Sequence, residues 1–81
     1  NMRGAEELKQ LFAEQFQLDA QQIRSELTFA ELAIDSLEWM ELTVAIEDAF
    51  GIQLDEAALA RCHNLGEAAQ LILRTDKEEN R

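Results

Sequence analysis

An all-α domain, a four-helix bundle of three longer helices and one short one with a long first loop, is the fold class this sequence predicts. Three observations predict it. Apolar residues recur at 3–4 spacing in three separate stretches, the period of an amphipathic helix. Asp35 with Glu38, and Asn64 with Glu67, have the capping-box spacing in which side chains satisfy the first orphan backbone donors of a helix. The 81 residues include no proline and only three glycines, and no alternating run competes as a strand. Residues 1–81 read as a single domain, small enough that one core must serve every element.

The first helix is predicted over about Gly4 to Phe16. Leu8, Leu11, Phe12 and Phe16 share one side, while Glu6, Glu7, Lys9, Gln10 and Glu14 take the other. Residues 1–3 read as a non-native remnant and a disordered start. From Gln17 to Ile34 the chain is a long connection in which Leu18, Ile23, Leu27, Phe29, Leu32 and Ile34 are expected to anchor onto the bundle. Asp19 and Ser25 are candidate caps for a short turn, and Phe29 to Leu32 a candidate for another. A loop of this length in a compact domain points to function, and this one delivers the chain to Ser36.

A second long helix is predicted over Ser36 to Phe50, with Asp35 as its N-cap and Gly51 suited to the left-handed position after it. Ile52 to Leu54 reads as extended. Asp55 then caps a short helix over about Glu56 to Cys62, with Ala58 and Leu59 facing inward. Asn64 opens the last helix, whose apolar content is Leu65, Ala68, Ala69, Leu71, Ile72 and Leu73. The polar stretch from Thr75 to Arg81 is expected to fray.

The central helix is apolar on two sides. Trp39, Leu42, Thr43, Ile46, Ala49 and Phe50 gather on the face expected to meet the core. Leu37, Met40 and Val44 lie on roughly the opposite face, interleaved with Glu38, Glu41, Glu47 and Asp48. A domain of this size buries one such face with ease, so the second is expected to be an exposed ridge bordered by carboxylates, the form of a docking surface for a basic partner. Apolar residues scattered singly on a surface are also common, and the helix alone leaves the two readings level.

The formal charge is −10. Its placement says more than its size. Between Ser25 and Ala60 stand Glu26, Glu31, Asp35, Glu38, Glu41, Glu47, Asp48, Asp55 and Glu56, with no Lys or Arg among them. Nucleic-acid binding requires the opposite sign, and an anionic membrane surface would repel this face. Attraction to basic proteins, weakened by salt, is the positive implication. The single cysteine excludes an internal disulfide, and no apolar run is long enough to span a bilayer, so a cytoplasmic monomer is the expectation.

Cys62 and His63 are adjacent, which gives neither a recognised metal-ligand spacing nor a nucleophile–base pair on one helix face. Ser36 as a hydrolytic nucleophile would need a base, and the only His is remote in sequence. The acids of the central helix lack the glycine-centred loop of a calcium site. A hydroxyl at a helix start does suit carriage of a phosphate, because backbone donors and the positive dipole end favour an anion there. Ser is also an ordinary first-turn residue, and helix-end chemistry by itself does not choose between these readings.

Asp35-Ser36-Leu37, with Phe29-Ala-Glu-Leu32 before it and Glu41-Leu42 and Ala45-Ile-Glu-Asp-Ala-Phe50-Gly51 after it, resembles the acyl carrier protein family over nearly the whole chain. The resemblance implies that Ser36 carries 4′-phosphopantetheine, transferred from coenzyme A by a magnesium-dependent phosphopantetheinyl transferase, and that the thiol of this arm holds an acyl group as a thioester. It implies that Asp35, Glu38, Glu41, Glu47 and Asp48 face basic patches on acyl-transfer, condensing and tailoring enzymes, with Leu37, Met40 and Val44 as apolar contacts. An acyl pocket is expected among Phe29, Trp39, Ile46, Leu54, Leu59 and Ala68. No catalysis and no metal site are expected of the chain itself.

The chain departs from the family pattern in three places. Ala33-Ile34 stands where a glycine is usual two residues before the Asp. Leu54-Asp55 stands where a proline often precedes the short helix. Trp39 replaces what is usually a smaller residue beside the acyl cavity, either narrowing that cavity, shaping it for an unusual chain, or simply filling core. These departures point to a specialised carrier, as in polyketide or other secondary metabolism. The alternatives are an unmodified acidic adaptor that binds a basic partner, and a peptidyl or aminoacyl carrier, which more often has His before the serine.

Overall fold

Six helical segments follow one another in the computed structural model, which describes residues 2–79, with side chains for residues 4–79. They are α1 (Met2–Phe16), a 3₁₀ turn (Ala20–Gln22), α2 (Phe29–Leu32), α3 (Ser36–Phe50), α4 (Glu56–Arg61) and α5 (Leu65–Glu79). The three long helices and the short α4 are as the periodicity predicts, and no strand is present among the described residues. Long α1 packs against both α3 and α5, and α4 bridges α3 and α5. Between them lies a core of Leu8, Phe12, Ile23, Phe29, Leu42, Ile46, Ile52, Leu54, Leu59, Leu65, Ala68 and Ile72.

The bundle has one helix more than the four expected. Phe29–Leu32 is a full α-helical turn, because Thr28 caps it: the Thr28 hydroxyl accepts from the Glu31 amide (3.2 Å), and the Glu31 carboxylate accepts from the Thr28 amide (3.0 Å). The long connection is thus largely structured. Asp19 does cap its 3₁₀ turn, accepting from the Gln21 amide (3.0 Å). Ser25 plays a different part from capping, since its carbonyl accepts from the Gly66 amide (2.9 Å). Of the expected anchors, Ile23 and Phe29 are buried, Leu27, Leu32 and Ile34 are half-buried, and Leu18 is exposed. Leu18 follows Gln17, whose φ of 57° ends α1 in a left-handed turn and sends the next side chain outward.

Two backbone stretches far apart in sequence are joined beside this connection. The Phe29 amide donates to the His63 carbonyl (3.0 Å), the Leu65 amide to Leu27 (3.0 Å) and the Gly66 amide to Ser25, with an isolated antiparallel bridge between Thr28 and Asn64. A Cβ at Gly66 would lie 3.4 Å from both Ser25 Cβ and Ser25 O, at the edge of ordinary contact, so the two stretches approach closely there.

The helix ends differ from expectation in three ways. Residues 2 and 3 belong to α1, which therefore starts before Gly4; Asn1 lies outside the described residues. At α5, Asn64 Oδ1 accepts from the Glu67 amide (2.9 Å) as the capping pattern requires, but the Glu67 carboxylate reaches one residue further back, to the His63 amide (2.7 Å). The stretch expected to fray continues as helix to Glu79, while residues 80–81 lie outside the described residues. A tertiary contact supports it: the Glu79 carboxylate accepts from the Gln53 amide (3.1 and 3.2 Å).

Candidate functional site

Helix α3 begins where its sequence places it. Asp35 Oδ1 accepts from the Glu38 amide (2.8 Å) and Glu38 Oε1 from the Asp35 amide (3.0 Å), a complete capping box. The Trp39 amide reaches the Asp35 carbonyl (2.9 Å). The amides of Ser36 and Leu37 are left without a protein partner among the described residues, and the exposed Ser36 hydroxyl likewise has none. A nucleophilic oxygen thus stands in solvent at the positive end of a fifteen-residue helix, beside unused N–H donors. At the other end Gly51 takes the left-handed turn, φ 65°.

The two faces of α3 separate as the helical wheel predicts. Leu42, Thr43 and Ile46 are buried, and Trp39 and Phe50 are half-buried; the Thr43 hydroxyl is satisfied by donating to the Trp39 carbonyl (2.8 Å). Ala49, expected inside, is exposed, because it lies at the rim between α3 and α5. On the opposite face Leu37, Met40 and Val44 are 57%, 52% and 49% exposed. One further large apolar side chain, Leu18, is exposed among the described residues, so the ridge is a concentration and not scatter.

The acids around the ridge are not equivalent. Asp35, Glu41 and Asp48 are exposed, Glu41 also accepting from Gln15 Nε2 at 3.3 Å. Glu38 is half-buried and engaged in the capping box. Glu47 turns toward the chain itself: its carboxylate accepts from the Leu54 amide (2.9 Å), bracing the link between α3 and α4. Helical spacing groups Glu47 with the outward acids because it shows which face a residue occupies, not which distant amide it meets.

The six residues expected to form an acyl pocket are packed against one another and the rest of the core. Phe29, Ile46, Leu54, Leu59 and Ala68 are buried and Trp39 is half-buried. Two open grooves of about 300 Å³ each lie elsewhere. One is lined by Gly4, Glu7, Ala49, Phe50, Ile72, Leu73 and Asp76, and the other by Ala58, Arg61, Cys62, Glu67, Gln70, Leu71 and Arg74. Burial, and then the Glu67 carboxylate, push the Cys62 thiol above its usual range against the opposing charges of Arg74 and Arg61, and the thiol donates weakly to the Ala58 carbonyl (3.5 Å). It is a poor nucleophile in that state.

An exposed hydroxyl without a partner among the described residues thus stands at a capped helix start, beside an apolar ridge with acidic borders, on a small helical bundle. The comparisons with known proteins supply the class: a carrier domain with a phosphopantetheine arm. The family described as "Phosphopantetheine attachment site" matches residues 6–72. The acyl carrier protein of Guillardia theta is 35% identical over 68 residues, covering 83% of this chain and 84% of that protein. That of Helicobacter pylori strain G27 is 32% identical over 68 residues, covering 83% and 87%. The chloroplastic acyl carrier protein of Brassica napus is 34% identical over 68 residues, covering 83% of this chain and 51% of that protein. The chain belongs to the acyl carrier protein family, and its prosthetic group is covalent 4′-phosphopantetheine. Among the described residues no helix is long and apolar enough to cross a membrane.

Proposed function

We propose that Ser36 is the residue that bears the arm, and that the chain is a specialised carrier presenting acyl groups to biosynthetic enzymes of secondary metabolism. The observation that carries the assignment is the Ser36 oxygen itself: exposed, without a hydrogen-bond partner among the described residues, and held at the N-terminus of α3 by the Asp35–Glu38 box. The group supplies a thiol on which an acyl chain rides as a thioester. The chain's own residues do the rest. The Ser36 and Leu37 amides and the helix dipole favour the phosphodiester charge. The Leu37, Met40 and Val44 ridge supplies apolar contact for the phosphopantetheinyl transferase and for acyl-transfer, condensing and tailoring enzymes. Asp35, Glu38, Glu41 and Asp48 steer their basic surfaces toward it, with Glu47 contributing charge from a braced position. The specialised role is supported by Trp39, Ala33-Ile34 and Leu54-Asp55, each a departure from the family pattern. In this role the protein is a substrate of the transferase and a carrier, not a catalyst.

Incubation with coenzyme A, magnesium and a broad-specificity transferase should add one phosphopantetheine to the intact mass, and Ser36→Ala should add none. An unchanged mass in the parent chain would favour an unmodified acidic adaptor. A gain retained by Ser36→Ala would move the attachment elsewhere.

A further inference from the structure

One groove on this acidic chain reverses the sign of its surroundings. Between Ser25 and Ala60 no Lys or Arg occurs, and the first residue after that window is Arg61, in the last turn of α4. Arg74 lies on α5, and the two arginines line the open groove of about 300 Å³ built from α4 and α5. Both guanidinium charges act on the Cys62 sulfur, so their fields overlap at one place although they come from different helices. Both side chains are exposed, and neither has an ion pair or hydrogen bond among the described residues, in a chain with 17 acids against 7 bases. The acid in the groove is engaged elsewhere: the Glu67 carboxylate accepts from the His63 amide (2.7 Å) and faces the His63 ring (3.4 Å). Gln70 adds an exposed amide, and half-buried Ala58 and Leu71 add an apolar wall. No residue of α3 lines this groove, so it is distinct from the ridge of Leu37, Met40 and Val44.

A guanidinium presents a planar fork of N–H donors that matches a carboxylate, and an unpaired one keeps every donor available. Two such forks beside an aliphatic wall suit a short peptide in which acidic side chains flank an aliphatic one. The groove has the size of a small binding cleft, enough for a few side chains. A lone inorganic anion would leave Ala58 and Leu71 uncovered. An extended polyanion or an anionic bilayer would be repelled by the rest of a chain of net charge −10. We infer that the α4–α5 groove is a second docking site, that its occupant is an acidic segment of a partner protein, and that Arg61 and Arg74 hold that segment's carboxylates. The ridge of α3 favours basic surfaces, so the two faces select partners of opposite charge. This assignment does not depend on what Ser36 carries.

The probe is a synthetic peptide with a Glu-Leu-Glu core between Gly-Ser ends, titrated into the full, isotope-labelled chain while amide resonances report where it lands. A Gln-Leu-Gln counterpart and inorganic phosphate are titrated alongside it. The acidic peptide should move the amides of Arg61, Cys62 and residues 70–74 and leave those of residues 36–44 in place. Its dissociation constant should be about a millimolar and should rise with salt. Arg61→Gln and Arg74→Gln, both at exposed positions, should each weaken binding about fivefold, the upper worth of an exposed ion pair, with circular dichroism checking the fold. Arg61→Lys and Arg74→Lys keep the charge and lose the fork, so they should fall between the parent and the glutamine variants. Equal binding of the Gln-Leu-Gln peptide, unchanged affinity in the folded glutamine variants, or shifts centred on α3 overturns the inference, as does the absence of any shift. Phosphate moving the same amides as strongly as the peptide makes the groove a small-anion site and overturns the protein partner.

Discussion

Replacing Asp35 by alanine removes the side-chain acceptor of the Glu38 amide (2.8 Å) but leaves the Asp35 amide bound to the Glu38 carboxylate (3.0 Å). One half of the capping box is therefore lost, at a cost of about 1 kcal/mol. For a domain of 81 residues that is a fall in thermal midpoint of about 4–8 °C. Asp35→Asn separates the two things the carboxylate supplies. It keeps an acceptor in the same place and removes only the attraction of a charge to the helix N-terminus, about 0.3–1 kcal/mol at low salt. Circular dichroism melts of both variants in low salt and in about 0.5 M salt, where exposed charges are screened within a few ångströms, should show Asp35→Asn approaching the parent protein while Asp35→Ala stays low. The rate of phosphopantetheine addition should follow the same order, because a loosened first turn no longer holds the Ser36 oxygen in one place. If Asp35→Asn in high salt is as unstable as Asp35→Ala, the hydrogen bond is not what fastens the start of α3, and the argument for how Ser36 is presented is wrong.

Met40→Glu and Glu41→Lys replace exposed residues of α3 and should leave helicity unchanged while weakening association with the transferase; surface plasmon resonance across a salt series should show the Glu41→Lys defect shrinking as salt rises. The Thr28 hydroxyl, then the Thr28 amide, hold the Glu31 carboxyl below its ordinary value of 4.5, so the unfolded chain binds the proton first. The stability this supplies is full above about pH 4.5 and disappears as pH falls through the lowered folded value, and Glu31→Gln should flatten that part of an acid denaturation curve. Ala33 holds a left-handed conformation, φ 50° and ψ 50°, where a Cβ is crowded by about 1–2 kcal/mol. Ala33→Gly relieves the crowding against a gain in unfolded-chain freedom of about 0.5–1 kcal/mol, so its midpoint should rise by a few degrees; a fall would show the alanine methyl to be favourably packed.

Local signals were legible in the sequence wherever a single turn decides the outcome. Asp35, Glu38 and Gly51 mark both ends of α3, and the structure places the helix between them, from Ser36 to Phe50. Leu8 and Phe12 announce the core face of α1 by spacing alone, and both are fully buried. The Thr28–Glu31 pair carried the same kind of signal for α2, which a search for capping spacing inside the long connection would have found. What was illegible depends on partners distant in the chain. Glu47 and Glu79 choose the amides of Leu54 and Gln53, and nothing in their helical positions announces that choice. Glu79 makes helix of a stretch whose composition suggests fraying. Ala33 stands out in the sequence only through the family resemblance, which leads one to expect glycine there, and the backbone alone shows that it is left-handed.

The short seam between residues 25–29 and 63–66 has a mechanical consequence. It staples residues 25–29, upstream of Ser36, onto the start of α5 through three amide–carbonyl bonds, and the Asp35–Glu38 box fastens the other end of the peptide that leads to the serine. With Ser36 as the proposed attachment point, a pivot fastened on both sides leaves the sweep of the arm to be set by the length of the tether, and would stand at a fixed offset from an enzyme docked on the ridge of α3.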